Sequence, residues 1–455
     1  MYRVQFEDFR CFGKAAQVEI RPITLLIGEN SAGKTSFLAG LRFALESFSG
    51  GAMNPFNRDP YFLGGFDQIA HIGGGGRRGA EAKSFHISVQ TSDFGSVGAR
   101  EGVGSHAPEH RFSFTKGGAQ PQLSHYAFSI NGDQLSVSLA DDQVKTTISR
   151  NGESIPIPDQ ARHFSRSNFL LHDISILPLI LQDFVMAPRH PSSKPSRPPG
   201  AAPPGREEDH QCFLDRLANS LRTSSRALSQ SVFSSAPVRS QPLRTYTPSE
   251  VAASSEGAHV PLALSRAKAN DAKDWTAIRE GLVAFGQSSG LFKDIDVKAF
   301  GKGDADPFQI MVNIAGTAMN LADVGYGVSQ VLPIIYQIQN SSRHETFLLQ
   351  QPEVHLHPRA QAELGSLFVS MVARKNRRKP AFVIETHSDY LVDRVRIEVA
   401  NGKISPDNVT IVFFQRGSHE SCATNLYLND RGEILDVPEN FRAFFLAEHL
   451  KLLGF

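Results

Sequence analysis

The run Gly28-Glu29-Asn30-Ser31-Ala32-Gly33-Lys34-Thr35, with Ser36 behind it, has two glycines, a lysine and a hydroxyl at the spacing G-x-x-x-x-G-K-[ST]. That spacing suits the phosphates of a nucleoside triphosphate. Gly28 and Gly33 let the backbone curl so that the N–H groups of Asn30, Ser31, Ala32 and their neighbours point at phosphate oxygens, and a following helix adds its positive end. Lys34 is placed to reach the β and γ phosphates, and the Thr35 hydroxyl to ligate Mg²⁺. Such a loop needs a strand before it and a helix after it. Val18, Ile20, Ile23, Leu25 and Ile27 supply the strand pattern, and Phe37, Leu38, Leu41, Phe43, Ala44 and Leu45 recur at helical spacing.

Three further segments carry polar groups at the ends of apolar runs. DVGYGVSQVLPI (323–334) puts Gly325, Gly327, Ser329 and Gln330 just before an apolar helix, an arrangement whose backbone donors could hold a phosphate. FLLQQPEVHLHP (347–358) is an apolar strand ending where a metal and an attacking water would lie, and AFVIE (381–385) ends in Thr386-His387-Ser388. Polar groups at three strand ends, on the carboxyl edge of one sheet, form a nucleotide site. His355 and His357 have no third ligand nearby and read as packing residues rather than a metal centre. Gly73 to Gly76 with Arg77 and Arg78 read as a hairpin tip, and Arg239 and Arg244 read equally as supports of the site or a partner surface and as ordinary surface charges.

Together these four ordered motifs, spanning residues 28 to 390, resemble the ABC-type ATPases of the OLD and RecF-like branch, including the stand-alone ATPases of anti-phage systems such as Septu and PARIS. The resemblance implies a P-loop NTPase of ABC type, α/β, with a mixed, mostly parallel sheet flanked by helices. It implies ATP and Mg²⁺ as cofactors and an ATP sandwich, in which Gly325, Gly327, Ser329 and Gln330 of one subunit close over the γ-phosphate on the P-loop of another. A dimer or higher homo-oligomer follows. By the same resemblance His387 is the switch histidine, and Gln68 in GGFDQIAHIGG is a Q-loop candidate. The implied role is a defence ATPase that controls a separate effector such as a nuclease or toxin. A RecF-like repair ATPase acting on nucleic acid is the alternative, and an ATP-gated scaffold that does not hydrolyse is the third.

One departure bears on hydrolysis. Where such ATPases place an acidic residue for Mg²⁺ and then a catalytic glutamate, this chain has Gln350 and Gln351. An amide brings no charge to a metal and accepts no proton. Gln350 is left to hold Mg²⁺ through water, and hydrolysis is slow, conditional, or dependent on Glu353. Lys34, Gln351, Glu353 and His387 are the candidate catalytic set.

The elements that must position these groups divide the chain. Residues 1–84 form the first part of the ATPase head and 301–455 the second. Residues 85–300 read as a β-rich and helical insertion, with antiparallel hairpins from Phe85 to Ile157, a Pro- and Ser-rich linker at 188–208, and helices at Phe213–Leu228 and around Trp275–Phe285. The apolar stretch Ile174 to Val185 is too short and too interrupted to span a bilayer and reads as core. With 47 basic against 46 acidic side chains, any nucleic-acid contact must be a local patch. Three scattered cysteines and an N-terminus without a signal-peptide pattern point to a cytoplasmic protein with no membrane partner. No nuclease domain is expected after Phe414.

Overall fold

A computed structural model of the chain describes residues 1–14, 16–49, 56–72, 82–91, 107–140, 143–155, 205–248, 253–301, 303, 305–341, 345–374, 379–438 and 441. The expected linker at 188–208, the Ile174–Val185 core stretch and the Gly73–Gly76 tip lie wholly or largely outside these residues.

Five parallel strands and one antiparallel edge strand make the sheet that carries the glycine loop. Their order is Ser231–Ser235, Glu345–Gln350, Ala381–Glu385, Ile23–Gly28, Val409–Arg416 and Ser421–Leu426, the last running antiparallel. The strands are nearly unbroken apolar runs because both faces are covered. Successive residues serve opposite cores. Leu26, Leu348, Val383, Val412 and Phe414 face a cluster built from the helix Lys34–Glu46 and the antiparallel sheet. Leu25, Leu349, Ile384, Ile411 and Phe413 face the helices Ala272–Ser289, Tyr326–Gln339, Pro358–Ala373 and Asp389–Ala400. The mixed, mostly parallel sheet flanked by helices is therefore present as expected.

The antiparallel hairpins are also present. Their eight strands include Tyr2–Glu7 and Ala16–Ile20 at one edge, so the β-rich segment is continuous with the N-terminal part of the chain. Two of its turns are Asn-Gly pairs, Asn131-Gly132 and Asn151-Gly152, with both residues at positive φ, the geometry a tight hairpin requires. Two placements cut across the boundary at residue 300. Phe308–Ile314 belongs to a separate three-stranded antiparallel sheet, because it pairs with Asp294–Ala299 and Thr317–Asn320. Ser231–Ser235, within the stretch read as the insertion, is an edge strand of the parallel sheet.

The helix Gly205–Leu228 lies on the antiparallel sheet, and a buried histidine joins them. His110, fully excluded from solvent, pairs with Tyr126 Oη and with Ser224 Oγ, both at 2.8 Å. Burial pushes its pKa from 6.5 down to about 3. The unfolded chain takes up this proton near pH 6.5 and the folded chain does not, so stability is full above that pH and falls as pH drops towards 3. Between pH 7 and pH 5 this linkage removes about 2 kcal/mol. Urea unfolding at the two pH values should show that loss, with a flatter pH dependence in His110→Gln; equal slopes would refute the linkage.

Candidate functional site

The glycine loop takes the shape its sequence implies. Gly28 has φ 130°, and a Cβ there would sit 2.0 Å from the carbonyl oxygen of Phe414 on the neighbouring strand, so only glycine fits. Ser31 and Gly33 also have positive φ, and the helix Lys34–Glu46 starts directly behind them with its N-terminus turned to the loop. Asn30 and Ser31 are exposed, whereas Ala32 is packed into the core. Lys34 is buried and folds back over the loop, donating to the carbonyls of Gly28 and Glu29 at 2.9 and 2.7 Å. Burial lowers its pKa, and the carboxylates of Glu385 and Glu29 oppose that shift.

A carboxylate not singled out from the sequence faces this loop, and a second lies within the reach of its charge. Glu385 ends the strand beside the P-loop strand, and its Oε2 accepts a hydrogen bond from Thr35 Oγ1 at 3.0 Å. Glu385, not Gln350, is thus the group in contact with the Thr35 hydroxyl. Gln350 is buried at the end of its own strand, where its carbonyl accepts from Arg239. The sequence signal for Glu385 was its place as the last residue of AFVIE, directly before Thr386-His387. Burial raises its pKa, while Thr35 and Lys34 draw it back down. A carboxylate oxygen and a threonine hydroxyl side by side, next to the P-loop, are a donor set that fits Mg²⁺.

Glu353 is the second carboxylate, 6% exposed. Its Oε1 accepts the His387 backbone N–H at 2.8 Å, and its Oε2 has no hydrogen-bond partner among the described residues. Burial raises its pKa, offset in part by the His387 N–H, by Thr386 and by the charge of Arg239. His387 is exposed, and burial of its ring together with the positive charge of Lys34 lowers its pKa, which keeps it neutral. Gln351 is half-buried at φ 41°, and its N–H donates to the Glu385 carbonyl at 2.8 Å, so it holds the two strand ends in register.

A cavity of about 730 Å³ opens over the loop, lined on that side by Ser31, Gly33, Lys34, Thr35, Ser36 and Glu385. Gln68 reaches the same cavity, with its Oε1 accepting the Gly65 N–H at 2.9 Å. Arg10, Arg416, His419 and Glu420 line it as well. They come from two turns far apart in the chain, so no local motif marks them.

Gly325, Gly327, Ser329 and Gln330 do not line this cavity. They begin the helix Tyr326–Gln339, whose exposed first turn includes Gly325 and Tyr326. Ser329 Oγ donates to the Tyr326 carbonyl at 2.9 Å, and Gln330 is buried, accepting the Arg239 backbone N–H at 3.1 Å. Both are engaged within their own chain. Gly327 is required there, since a Cβ would meet the His355 carbonyl oxygen at 2.7 Å, whereas a Cβ on Gly325 would meet nothing. His355 and His357 are exposed, and no group of side chains among the described residues could hold a metal through His, Cys, Asp and Glu alone.

Residues 3–189 match the family described as "AAA domain", and residues 218–393 the family described as "AAA domain, putative AbiEii toxin, Type IV TA system". Each match covers less than half of the chain, and together they take in the glycine loop and the strand Ala381–Glu385 beside it. A comparison with curated proteins found no match. Among solved structures, the Smc head domain with an extended coiled coil bound to the C-terminal domain of ScpA, from Pyrococcus furiosus, is 11% identical with a TM-score of 0.41, over 100% of this chain and 99% of that one. The SMC head domain from Thermotoga maritima is 9% identical with a TM-score of 0.39, over 93% and 97%. The Smc head domain with a coiled coil and joint from Pyrococcus yayanosii is 10% identical with a TM-score of 0.42, over 99% and 100%. No helix of the described residues is long and apolar enough to cross a membrane.

Proposed function

We propose that this ATPase binds ATP on the P-loop of one subunit, closes the site with the helix Tyr326–Gln339 of a second, and uses hydrolysis to part the two. The observation that supports this reading is that, within one chain, the glycine loop and the helix start at Gly325 do not share a cavity. The loop at Gly28 to Thr35 borders an open cavity, and Gly325 stands at an exposed helix start where its own chain makes no use of the missing side chain. Room left at Gly325 is room for something outside the chain.

In the closed site Lys34 would leave its two carbonyl partners for the β and γ phosphates. Mg²⁺, bound through Thr35 and Glu385, would neutralise phosphate charge when present. The free oxygen of Glu353 orients and deprotonates water, and neutral His387, held through its backbone by the same carboxylate, donates to the γ-phosphate. The cycle of closing and parting is the signal a separate effector reads. A defence role fits the family description of residues 218–393, which names a toxin system. A cytoplasmic setting fits the free cysteines.

Light scattering with and without ATP tests this directly. ATP should double the mass of the wild-type chain, and Gly325→Arg, whose Cβ meets no atom of its own subunit, should bind ATP normally yet stay monomeric. Association of Gly325→Arg as tight as wild type would refute the sandwich.

A further inference from the structure

We propose that Arg239 is a positioning residue of this ATPase: it couples the helix Tyr326–Gln339 to Glu353, so that a second subunit seated on that helix sets the carboxylate that orients water. The assignment rests on the sandwich reading above and goes beyond it by naming the link between the two halves of the site.

Arg239 is 2% exposed, although its neighbour Val238 is largely in solvent. A buried guanidinium is costly unless its donors are used, and this one leaves two of them idle. Its Nη2 donates to the carbonyls of Gln350 and Gln351 at 3.1 and 3.4 Å, but Nε and Nη1 have no partner among the described residues. Burial draws its pKa down to about 10, with Glu353 opposing, so it stays charged at neutral pH. A stability role alone would be met by an apolar side chain of similar volume. The idle donors instead lie in the field of Glu353, whose own Oε2 is idle.

The other end of Arg239 is fixed to the helix Tyr326–Gln339. Its backbone N–H donates to Gln330 Oε1 at 3.1 Å, and its carbonyl accepts Gln330 Nε2 at 3.5 Å. Five residues on, Arg244 forms an ion pair with Asp323 just ahead of the same helix, and the Arg244 carbonyl accepts Asn320 Nδ2 at 2.8 Å. Three attachments make residues 239–244 travel with the helix start. A shift imposed at Gly325 and Tyr326 therefore moves the guanidinium against the loop of Gln350, Gln351 and Glu353. From Glu353 the chain of contacts continues through its Oε1 to the His387 N–H. Every group in this relay is a residue of the chain, and none touches nucleotide through Arg239 itself.

The test compares wild type, Arg239→Met, Arg239→Lys, Glu353→Gln and the double variant Arg239→Met with Glu353→Gln. ATP affinity, ATP-driven association, melting temperature and kcat are measured for each. A relay predicts that both Arg239 variants bind ATP and associate within about threefold of wild type while kcat falls by about a hundredfold, the cost of a small misplacement of a catalytic group. It also predicts that Arg239→Met costs almost nothing more once Glu353 is glutamine, because residues that act as a unit are not additive. Arg239→Lys keeps the charge but not the fork of donors, and carries the test if Arg239→Met melts early. Unchanged kcat in Arg239→Lys, losses that multiply in the double variant, or affinity falling in step with kcat would each overturn the assignment. Wild type that neither turns over nor associates with ATP overturns the sandwich and the relay together; active wild type with a normal Arg239→Lys overturns the relay alone.

Discussion

Glu353→Gln should lower ATP turnover by a factor of about a hundred to ten thousand, the range a positioned general base supplies, while ATP affinity stays within a few-fold of wild type. The substitution keeps shape. The amide oxygen can still accept the His387 N–H that Oε1 now takes at 2.8 Å. What disappears is the second oxygen, which is buried, lacks a partner and is the acceptor a water could use. Burial also holds this carboxyl above the ordinary glutamate value, which brings its basicity closer to neutral pH, where a base is most useful. Single-turnover measurements with excess enzyme would isolate the chemical step from binding and release. Turnover within threefold of wild type would move the base elsewhere, with Gln351 no better placed, since its backbone is engaged with Glu385 and its side chain accepts no proton.

The parts of this site that were legible in the sequence are those carried by short, contiguous patterns. Gly28 to Thr35 could be placed because a glycine pair, a lysine and a hydroxyl mean one thing between a strand and a helix, and the backbone at Gly28 and Gly33 has the positive φ that reading needs. The strands ending at Gln350 and Glu385 were visible because strands buried on both faces read as apolar runs. The error lay one residue inside such a run. Glu385 was counted as the close of an apolar strand, and only the pairing of Ala381–Glu385 beside Ile23–Gly28 shows that its carboxylate meets Thr35. Strand order is a long-range property, and no local spacing encodes it.

The same limit left the place of Arg239 open. In APVRSQPLRTY it has neither periodicity nor a motif, and its burial follows from the edge strand Ser231–Ser235 joining the parallel sheet against Glu345–Gln350. Phe308–Ile314 meets the same limit: an alternating apolar strand fits an antiparallel sheet as well as a parallel one, and its partners at 294–299 and 317–320 decide between them. The Asn-Gly hairpins, by contrast, needed no partner to be recognised, because the turn residues themselves demand positive φ.

Lys34→Ala should abolish the effect of ATP on the protein altogether. Its ammonium folds back over the loop, held by two carbonyls at 2.9 and 2.7 Å that it would leave for the β and γ phosphates. Truncating one member of a buried, hydrogen-bonded charge pair costs about 2–5 kcal/mol, or roughly thirty-fold to several-thousand-fold in affinity. The loss is deepened here because Glu385 and Glu29, which now face a cation, would face the incoming triphosphate without it. A melting curve reads the result without relying on turnover: a ligand that binds only the folded chain raises the midpoint in proportion to the logarithm of its concentration over Kd. Wild type should show that rise with ATP, and Lys34→Ala should show almost none at the same concentration. The comparison with Glu353→Gln then separates holding ATP from spending it. If Glu353→Gln still associates on ATP while Lys34→Ala does not, binding drives closure and hydrolysis drives parting. If both remain monomeric, closure itself depends on the carboxylate, and the order of events proposed here is reversed.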